Sequence, residues 1–253
     1  MSNPQPWPDG VARHVLDRVD STNAEAMRLA GSLSGPAWIM ARRQESGRGR
    51  RGRVWSDPPG NFAATLLMRP DGGAADAARY SFVAALAVDT ALRQLCGPQV
   101  NLSLKWPNDV LLNGGKLAGI LLESVGAGGS VNALAVGIGV NLTHTPDHVE
   151  SGAMRPVSVL GETGLTLTAD ELLDALAPAF DHWARQMRDY GFGPIRHAWL
   201  ARAAKLGETI TARTGTTETV GRFDGIDDTG ALMLTTPRGP QAIPAADVYF
   251  TGG

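Results

Sequence analysis

The chain has 253 residues, 43% of them hydrophobic and 19% charged, with a formal net charge of −2. That length admits one large domain or a domain with a small companion, and the composition is that of a globular protein with a substantial core. The slight negative charge argues against nucleic acid as the main partner, and a single cysteine, Cys96, excludes an internal disulfide and a cysteine-based metal site.

The opening stretch, Met1 to Pro8, has no basic leader and no apolar run. It predicts neither a signal peptide nor a membrane span, hence a cytoplasmic location by default. Val11 to Val19 alternates in part and leads into Asp20-Ser21-Thr22-Asn23, where a helix is predicted to begin. Thr22 and Glu25 have capping-box spacing, Ala24, Ala26, Met27 and Leu29 favour helix, and Gly31 ends it. Ser21, Thr22 and Asn23 either serve only as caps or form a hydrogen-bonding corner for a neutral polar ligand.

Ala37 to Ala41 reads as a buried strand that delivers the chain into Gln44 to Trp55. There three glycines (Gly47, Gly49, Gly52) alternate with four arginines (Arg48, Arg50, Arg51, Arg53), and no helix or strand period fits. Glycines let backbone approach a ligand, and arginines present fixed charge and forked donors to phosphate or carboxylate oxygens. Such a loop repels itself, so it is expected to be mobile when empty and ordered around an anion. Three readings stand at this point: a solvated basic linker, a nucleic-acid contact, or a phosphate-handling enzyme loop. Gly60-Asn61 and a second strand, Phe62 to Met68, follow. The loop is thus anchored between core strands, which weakens the linker reading.

Asp76 to Leu95 has helical spacing, with Cys96 as a core residue at its end. Leu102 to Trp106 is a strand broken at Pro107. Val110 to Leu112 and Lys116 to Glu123 form a hairpin around Asn113-Gly114-Gly115. Lys116 is read locally as either an exposed hairpin lysine or a functional one. Val131 to Leu142 is a strand in which Gly137 and Gly139 leave room for a group near the backbone. Thr143 to Gly164 is expected to be a loop carrying His144, Asp147, His148 and Glu150. Pro146 prevents a helix from presenting both histidines to a metal. Thr168 and Glu171 open a helix that runs to Tyr190. Gly191 to Pro194 breaks it, and Ile195 to Ala204 forms a short last helix. Beyond Gly207, short alternating runs about ten residues apart suggest a small antiparallel barrel. These features divide the chain into residues 1–205 and 206–253.

Five stretches then stand in register: Ser21-Thr22-Asn23; Gln44 through Gly47-Arg48-Gly49-Arg50-Arg51-Gly52-Arg53 to Trp55; Lys105-Trp106-Pro107-Asn108-Asp109; Lys116-Leu117-Ala118-Gly119-Ile120; and Gly137-Ile138-Gly139-Val140-Asn141. Their order and spacing, with the trailing barrel, resemble the biotin protein ligase family over nearly the whole chain from Val11. The resemblance implies a mixed α/β (α+β) catalytic domain of class II synthetase-like form, its mixed sheet flanked by helices, followed by an SH3-like C-terminal β-barrel. It implies that biotin and ATP, with Mg²⁺, give biotinyl-5′-AMP and pyrophosphate. Biotin then passes to one lysine of the biotin carboxyl carrier protein of acetyl-CoA carboxylase.

By the same resemblance, Lys116, Arg48 and Arg50 are the catalytic candidates. Ser21, Thr22, Asn23, Gln44, Gly47, Arg48, Gly49, Arg50 and Lys116 would meet biotin. Arg48, Arg50, Arg51, Trp55, Lys105, Asn108, Asp109, Lys116 and Asn141 would meet ATP. Lys105, Asn108 and Asp109 would lie where the triphosphate and its Mg²⁺ are handled, with the ligands of the metal left unassigned. Only about twenty residues precede Ser21; the helix-turn-helix domain of some family members cannot fit there, so no DNA-binding repressor role is expected. Relatives are monomers or dimers, and edge-strand pairing leaves a homodimer open. The chemistry agrees with these roles. A carboxylate attacking a phosphate brings two anions together, and fixed cations offset the repulsion. The rival enzyme reading is a lipoate ligase; the rival outside enzymes is a nucleic-acid module clasping phosphates, which would need a more basic surface or aromatics interleaved with the arginines.

Overall fold

The computed structural model describes residues 6–126, 130–146 and 154–250. Asp147, His148 and Glu150 of the expected histidine loop lie outside the described residues. Among the described residues, five α-helices and twelve strands run in the order β1 (Ala12–Leu16), α1 (Thr22–Leu29), β2 (Ala37–Ala41), β3 (Phe62–Met68), α2 (Ala74–Cys96), β4 (Leu102–Lys105), β5 (Asp109–Leu112), β6 (Gly115–Val125), β7 (Ala133–Val140), α3 (Val159–Thr163), α4 (Ala169–Tyr190), α5 (Phe192–Leu200), then β8 (Thr209–Thr214), β9 (Thr217–Ile226), β10 (Leu232–Thr236), β11 (Gly239–Ile243) and β12 (Asp247–Phe250).

The first seven strands form one mixed sheet in the order β1-β2-β3-β7-β6-β5-β4. Only β1 and β2 pair in parallel; every other neighbour is antiparallel. The unbroken apolar run of β2 is explained by cover on both faces. Trp38 and Met40 pack into the core beneath α2 and α4, while Ala37 and Ile39 pack with Ala26 of α1 on the other side. Phe180 of α4 meets the Trp38 ring edge-on at 5.9 Å and stacks near Tyr80 of α2 at 6.4 Å. Helices thus seal one face of the sheet. On the opposite face the short α1 covers only part, and the remainder stays open as the floor of a cavity.

The second sheet is antiparallel and five-stranded, in the order β11-β10-β9-β8-β12. It is docked on the first. The Trp106 indole donates to the Gly230 carbonyl at 3.0 Å. Gly230, at φ +89°, lies so close to Phe82 of α2 that a Cβ there would come within 2.8 Å of the ring. Beneath this junction Asp89 is fully buried and accepts from Arg93 at 3.0 Å and Arg202 at 2.8 Å, tying α2 to the segment that leads into β8.

Local chemistry explains most boundaries. Asn113 and Gly114 both have positive φ (50° and 76°), the conformation of a tight hairpin turn, which joins β5 to β6. Thr168 and Glu171 make the expected capping box at α4. Several boundaries differ from expectation, among them α5, which begins at Phe192 inside the expected break and ends at Leu200 rather than Ala204. The N-cap of α1 is Ser21 rather than Thr22, whose hydroxyl is engaged elsewhere. The expected loop from Thr143 to Gly164 contains α3, a single turn too short to show a period. It is capped by the Ser158 hydroxyl accepting from the Gly161 N–H at 3.1 Å and closed by Gly164 in the left-handed region. Because the Thr168 side chain satisfies a helix-terminal N–H, Thr168→Ala is expected to lower unfolding free energy by about 1 kcal/mol, read as a reduced urea midpoint with unchanged slope.

Candidate active site

The floor of the cavity follows from strand register. On the face of the sheet that carries α1, Asp109, Gly119, Gly139 and Ala63 form one rank across β5, β6, β7 and β3. Leu121, Gly137, Thr65 and Ile39 form the next. Successive residues on one face lie about 7 Å apart along a strand, so the two ranks are that far apart. The glycines admit what sits above them. Gly137 carries the Asn23 side chain against its backbone, and a Cβ at Gly139 would stand 2.5 Å from the Trp55 indole, which also covers Gly119. The room expected above Gly137 and Gly139 is filled by two residues of the chain itself.

Over the Gly137 rank stands a polar corner at the N-terminus of α1. Ser21, Thr22 and Asn23 are all buried. Gln44 Oε1 accepts from the Thr22 N–H at 2.9 Å and from its hydroxyl at 3.1 Å. The Thr65 hydroxyl lies 2.8 Å from Thr22 Oγ1 and 2.6 Å from Asn23 Oδ1. Asn23 Nδ2 donates to Glu123 Oε2 at 2.8 Å. Behind the corner, Asp57 accepts from the Gln44 backbone N–H at 3.1 Å. Burial raises the Asp57 carboxyl to about 6, against the pull of the Gln44 hydrogen bonds.

Over the Gly139 rank the charges collect. Asp109 is buried, and its carboxylate lies 2.8 Å from Lys116 Nζ and 3.5 Å from Lys105 Nζ. Burial alone would raise this carboxyl, but the two ammonium groups outweigh it and hold it below the ordinary carboxylate range. Burial lowers the Lys105 ammonium, against the opposing pull of Asp109. Lys116 Nζ also sits 5.8 Å from the centre of the Trp55 ring. Lys116 is not a freely exposed hairpin lysine: its ammonium turns into the cavity, onto the buried Asp109 carboxylate.

Gln44 to Trp55 is folded. Trp55 N–H donates to the Gly47 carbonyl at 2.9 Å and Gly49 N–H to the Arg53 carbonyl at 2.8 Å, so the stretch closes as a small hairpin. Its tip is one turn of 3-10 helix, Arg50–Gly52, with Arg51 at φ 56° and Gly52 at φ 74°. The self-repulsion expected of this stretch is offset within the chain, which supplies carboxylates. Arg48 pairs with Glu123 at 3.3 Å. Asp247, at the start of β12, lies 3.0 Å from Arg51, 3.2 Å from Arg53 and 3.6 Å from Arg50. Arg50 Nη1 also reaches Asn108 Oδ1 at 3.4 Å, while Asn108 Nδ2 donates to the Ile120 carbonyl at 2.7 Å.

These groups surround one cavity of about 1290 Å³. Ser21, Thr22, Asn23, Gln44, Arg48, Gly49, Arg50, Trp55, Lys105, Asn108, Asp109, Lys116 and Asn141 all line it, as does β12 from Asp247 to Phe250. Two candidates do not. Gly47 faces inward, with the Trp55 carbonyl where a side chain would stand, and so shapes the hairpin; Arg51 turns to Asp247. Asn141 lines the cavity, but its amide donates to the Val157 carbonyl at 3.0 Å. Among the described residues no cluster of His, Cys, Asp or Glu is fit to hold a metal ion, and no helix is long and apolar enough to cross a membrane. Sequence reasoning missed Thr65, Asp57, Glu123 and Asp247. Each is a lone polar residue within or beside a strand, placed by register or domain docking rather than by a motif.

Comparison with known proteins agrees with this arrangement. The model of the biotin/lipoate A/B protein ligase family matches residues 15–141, and that of the biotin protein ligase C-terminal domain matches residues 205–251. The chain is 63% identical over 240 residues to a biotin–[acetyl-CoA-carboxylase] ligase of Paracoccus denitrificans, covering 94% of this chain and 100% of that protein. It is 33% identical to the bifunctional ligase/repressor BirA of Bacillus subtilis, covering 94% of this chain and 74% of the relative. Among solved structures, the biotin protein ligase of Aquifex aeolicus in complex with biotin and ATP superposes with a TM-score of 0.78 at 25% identity, covering 94% of this chain and 97% of that one. With one family model spanning the strands that floor the cavity and the other spanning the sheet that walls it, the chain belongs to the biotin protein ligase family.

Proposed function

We propose that the protein uses ATP to join biotin, through biotinyl-5′-AMP, to a lysine of the biotin carboxyl carrier protein of an acetyl-CoA carboxylase. One observation carries the reading. A neutral polar corner and a cationic cluster stand over adjacent ranks of one glycine-lined floor. That spacing suits a ligand with an uncharged hydrogen-bonding head and an anionic tail. The corner of Thr22, Asn23 and Gln44 offers donors and acceptors to a ureido ring. A dithiolane ring offers those groups no hydrogen bond in exchange for the ones it would displace, which favours biotin over lipoate.

In the first step a biotin carboxylate oxygen attacks the α-phosphorus and pyrophosphate leaves with the electrons of the broken P–O bond. Lys116, Arg48 and Arg50 are assigned to the oxygens whose charge changes there. Asp109 is assigned to orient Lys116 rather than to meet the triphosphate, because its carboxylate is enclosed between two ammonium groups. Lys105 and Asn108, on the same wall, are assigned to the phosphates. The Trp55 indole offers a flat face beside them for the adenine. Mg²⁺ is assigned to the substrate, arriving on the triphosphate and keeping water and phosphate oxygens as its ligands. In the second step the neutral amine of the carrier lysine attacks the acyl carbon and AMP leaves. The hairpin over the mixed anhydride limits attack by water.

The reading is tested by incubating a carrier domain with the protein, Mg-ATP and either biotin or lipoate. A biotin-sized mass gain that requires ATP is expected; no adenylate and no mass gain would sink it. Lys116→Ala should lower adenylate formation by roughly 10²–10³-fold in a pyrophosphate-release assay, with an unchanged circular dichroism spectrum. Arg48→Ala removes a half-exposed cation beside the polar corner. It should release more free biotinyl-5′-AMP per carrier modified, measured by chromatography of quenched reactions. For Asp109 the folded-state carboxyl lies below its unfolded value. Its stabilising contribution is complete above about pH 4 and is lost as pH falls through the lowered value. Asp109→Asn should therefore flatten the acid limb of the stability curve, as well as slow adenylation by misplacing Lys116.

A further inference from the structure

We propose that Asp247 is a positioning residue that clasps the arginine hairpin in the empty protein by occupying the place of a phosphate. This rests on the ligase reading only for the identity of the anion that replaces it. Three guanidinium groups converge on one carboxylate, Arg51 at 3.0 Å, Arg53 at 3.2 Å and Arg50 at 3.6 Å. The carboxylate side chain is only 13% exposed, whereas Arg51 and Arg53 are 42% and 45% exposed. Asp247 also lines the cavity that holds Lys105, Lys116 and Arg50. A carboxylate facing so many cations has the charge and hydrogen-bonding pattern of a phosphate oxygen pair.

The placement has a mechanical sense. The hairpin grows from β2 and β3 of the first sheet, while Asp247 begins β12 of the second, so the ion pairs, beside the Arg50 guanidinium donating to the Ala246 carbonyl at 3.3 Å, link the hairpin tip to that sheet. Without an anion the arginines repel one another and the hairpin opens. Asp247 supplies one negative charge, enough to hold the fold of the hairpin. A triphosphate carries several and competes for the same guanidinium groups. The clasp therefore keeps the hairpin near its working place and yields when nucleotide enters.

Limited trypsin digestion of the empty full-length protein tests this, with cleavage after Arg48, Arg50, Arg51 and Arg53 followed by mass spectrometry. Half-exposed ion pairs are individually weak, so their joint loss in Asp247→Asn should speed hairpin cleavage about five- to tenfold while other sites keep their rates. Inorganic tripolyphosphate should return the variant to the wild-type rate, and Asp247→Glu should be protected without it. A merely structural aspartate would give neither anion rescue nor rescue by glutamate. Wild-type cleavage of Asp247→Asn, failure of tripolyphosphate to protect it, or cleavage of Asp247→Glu as fast as the asparagine variant would each overturn the clasp. The digestion uses neither biotin nor ATP. A protected hairpin in a protein that makes no adenylate would retain the clasp and remove the ligase reading; adenylation by a protein with no such protection would do the reverse.

Discussion

Like charges gathered for catalysis must be held together before the substrate arrives. Six cationic side chains, Arg48, Arg50, Arg53, Lys105, Lys116 and the neighbouring Arg51, crowd one end of the molecule, and each has a carboxylate against it. The pairs differ in how far their cations reach into solvent, and so in consequence. Asp109 is enclosed, its two lysines outweigh the cost of desolvating it, and it fixes the direction of Lys116. Glu123 stands nearer water, and Asp247, though itself little exposed, faces arginines that are half in solvent, where screening keeps each pair weak and replaceable. The site thus combines one rigid charge pair with a set of exchangeable ones.

The rest of the fold serves that arrangement. Helices α2 and α4 seal one face of the mixed sheet so tightly that the other face can afford an unfilled floor. The floor is built of glycines because two large groups of the chain, the Asn23 amide and the Trp55 indole, must lie directly on backbone. The hairpin Gly47–Trp55 has glycine where the Trp55 carbonyl leaves no space for a side chain. Positive φ at Arg51 and Gly52 then turns its tip toward β12. The second sheet is more than an appendage: docked through Trp106 and Gly230, it contributes Asp247 and the wall from Val248 to Phe250.

The chemistry follows from proximity and charge. A polar corner in which Thr22, Asn23, Gln44 and Thr65 already hydrogen-bond one another is pre-organised, so a ligand that matches it exchanges partners rather than ordering side chains. The cationic rank beside it offers no general base. It offers stabilisation of phosphate and carboxylate charge, the effect that dominates phosphoryl and acyl-adenylate chemistry. A lowered Lys105 ammonium shows the same balance from the other side: burial is costly to it, and the neighbouring Asp109 carboxylate offsets only part of that cost.

Much of this was legible in the sequence, and for physical reasons. Strands β2 and β3 follow from unbroken apolar runs, α4 from a capping box and an apolar stripe, and the β5–β6 turn from Asn113-Gly114, since each is decided by contacts within a few residues. The arginine and glycine stretch announced an anion, and five motifs in register pointed to one family. Tertiary structure alone decided the partners. That Thr22 caps nothing and instead meets Gln44 and Thr65, that Gly47 and Arg51 stand outside the cavity, and that Asp109 faces two lysines depend on strand register across the sheet. That the arginine hairpin closes on Asp247, nearly two hundred residues away, depends on how two sheets dock. Charge and turn chemistry act along the chain and can be read there; which carboxylate meets which cation is settled only when distant strands are brought together.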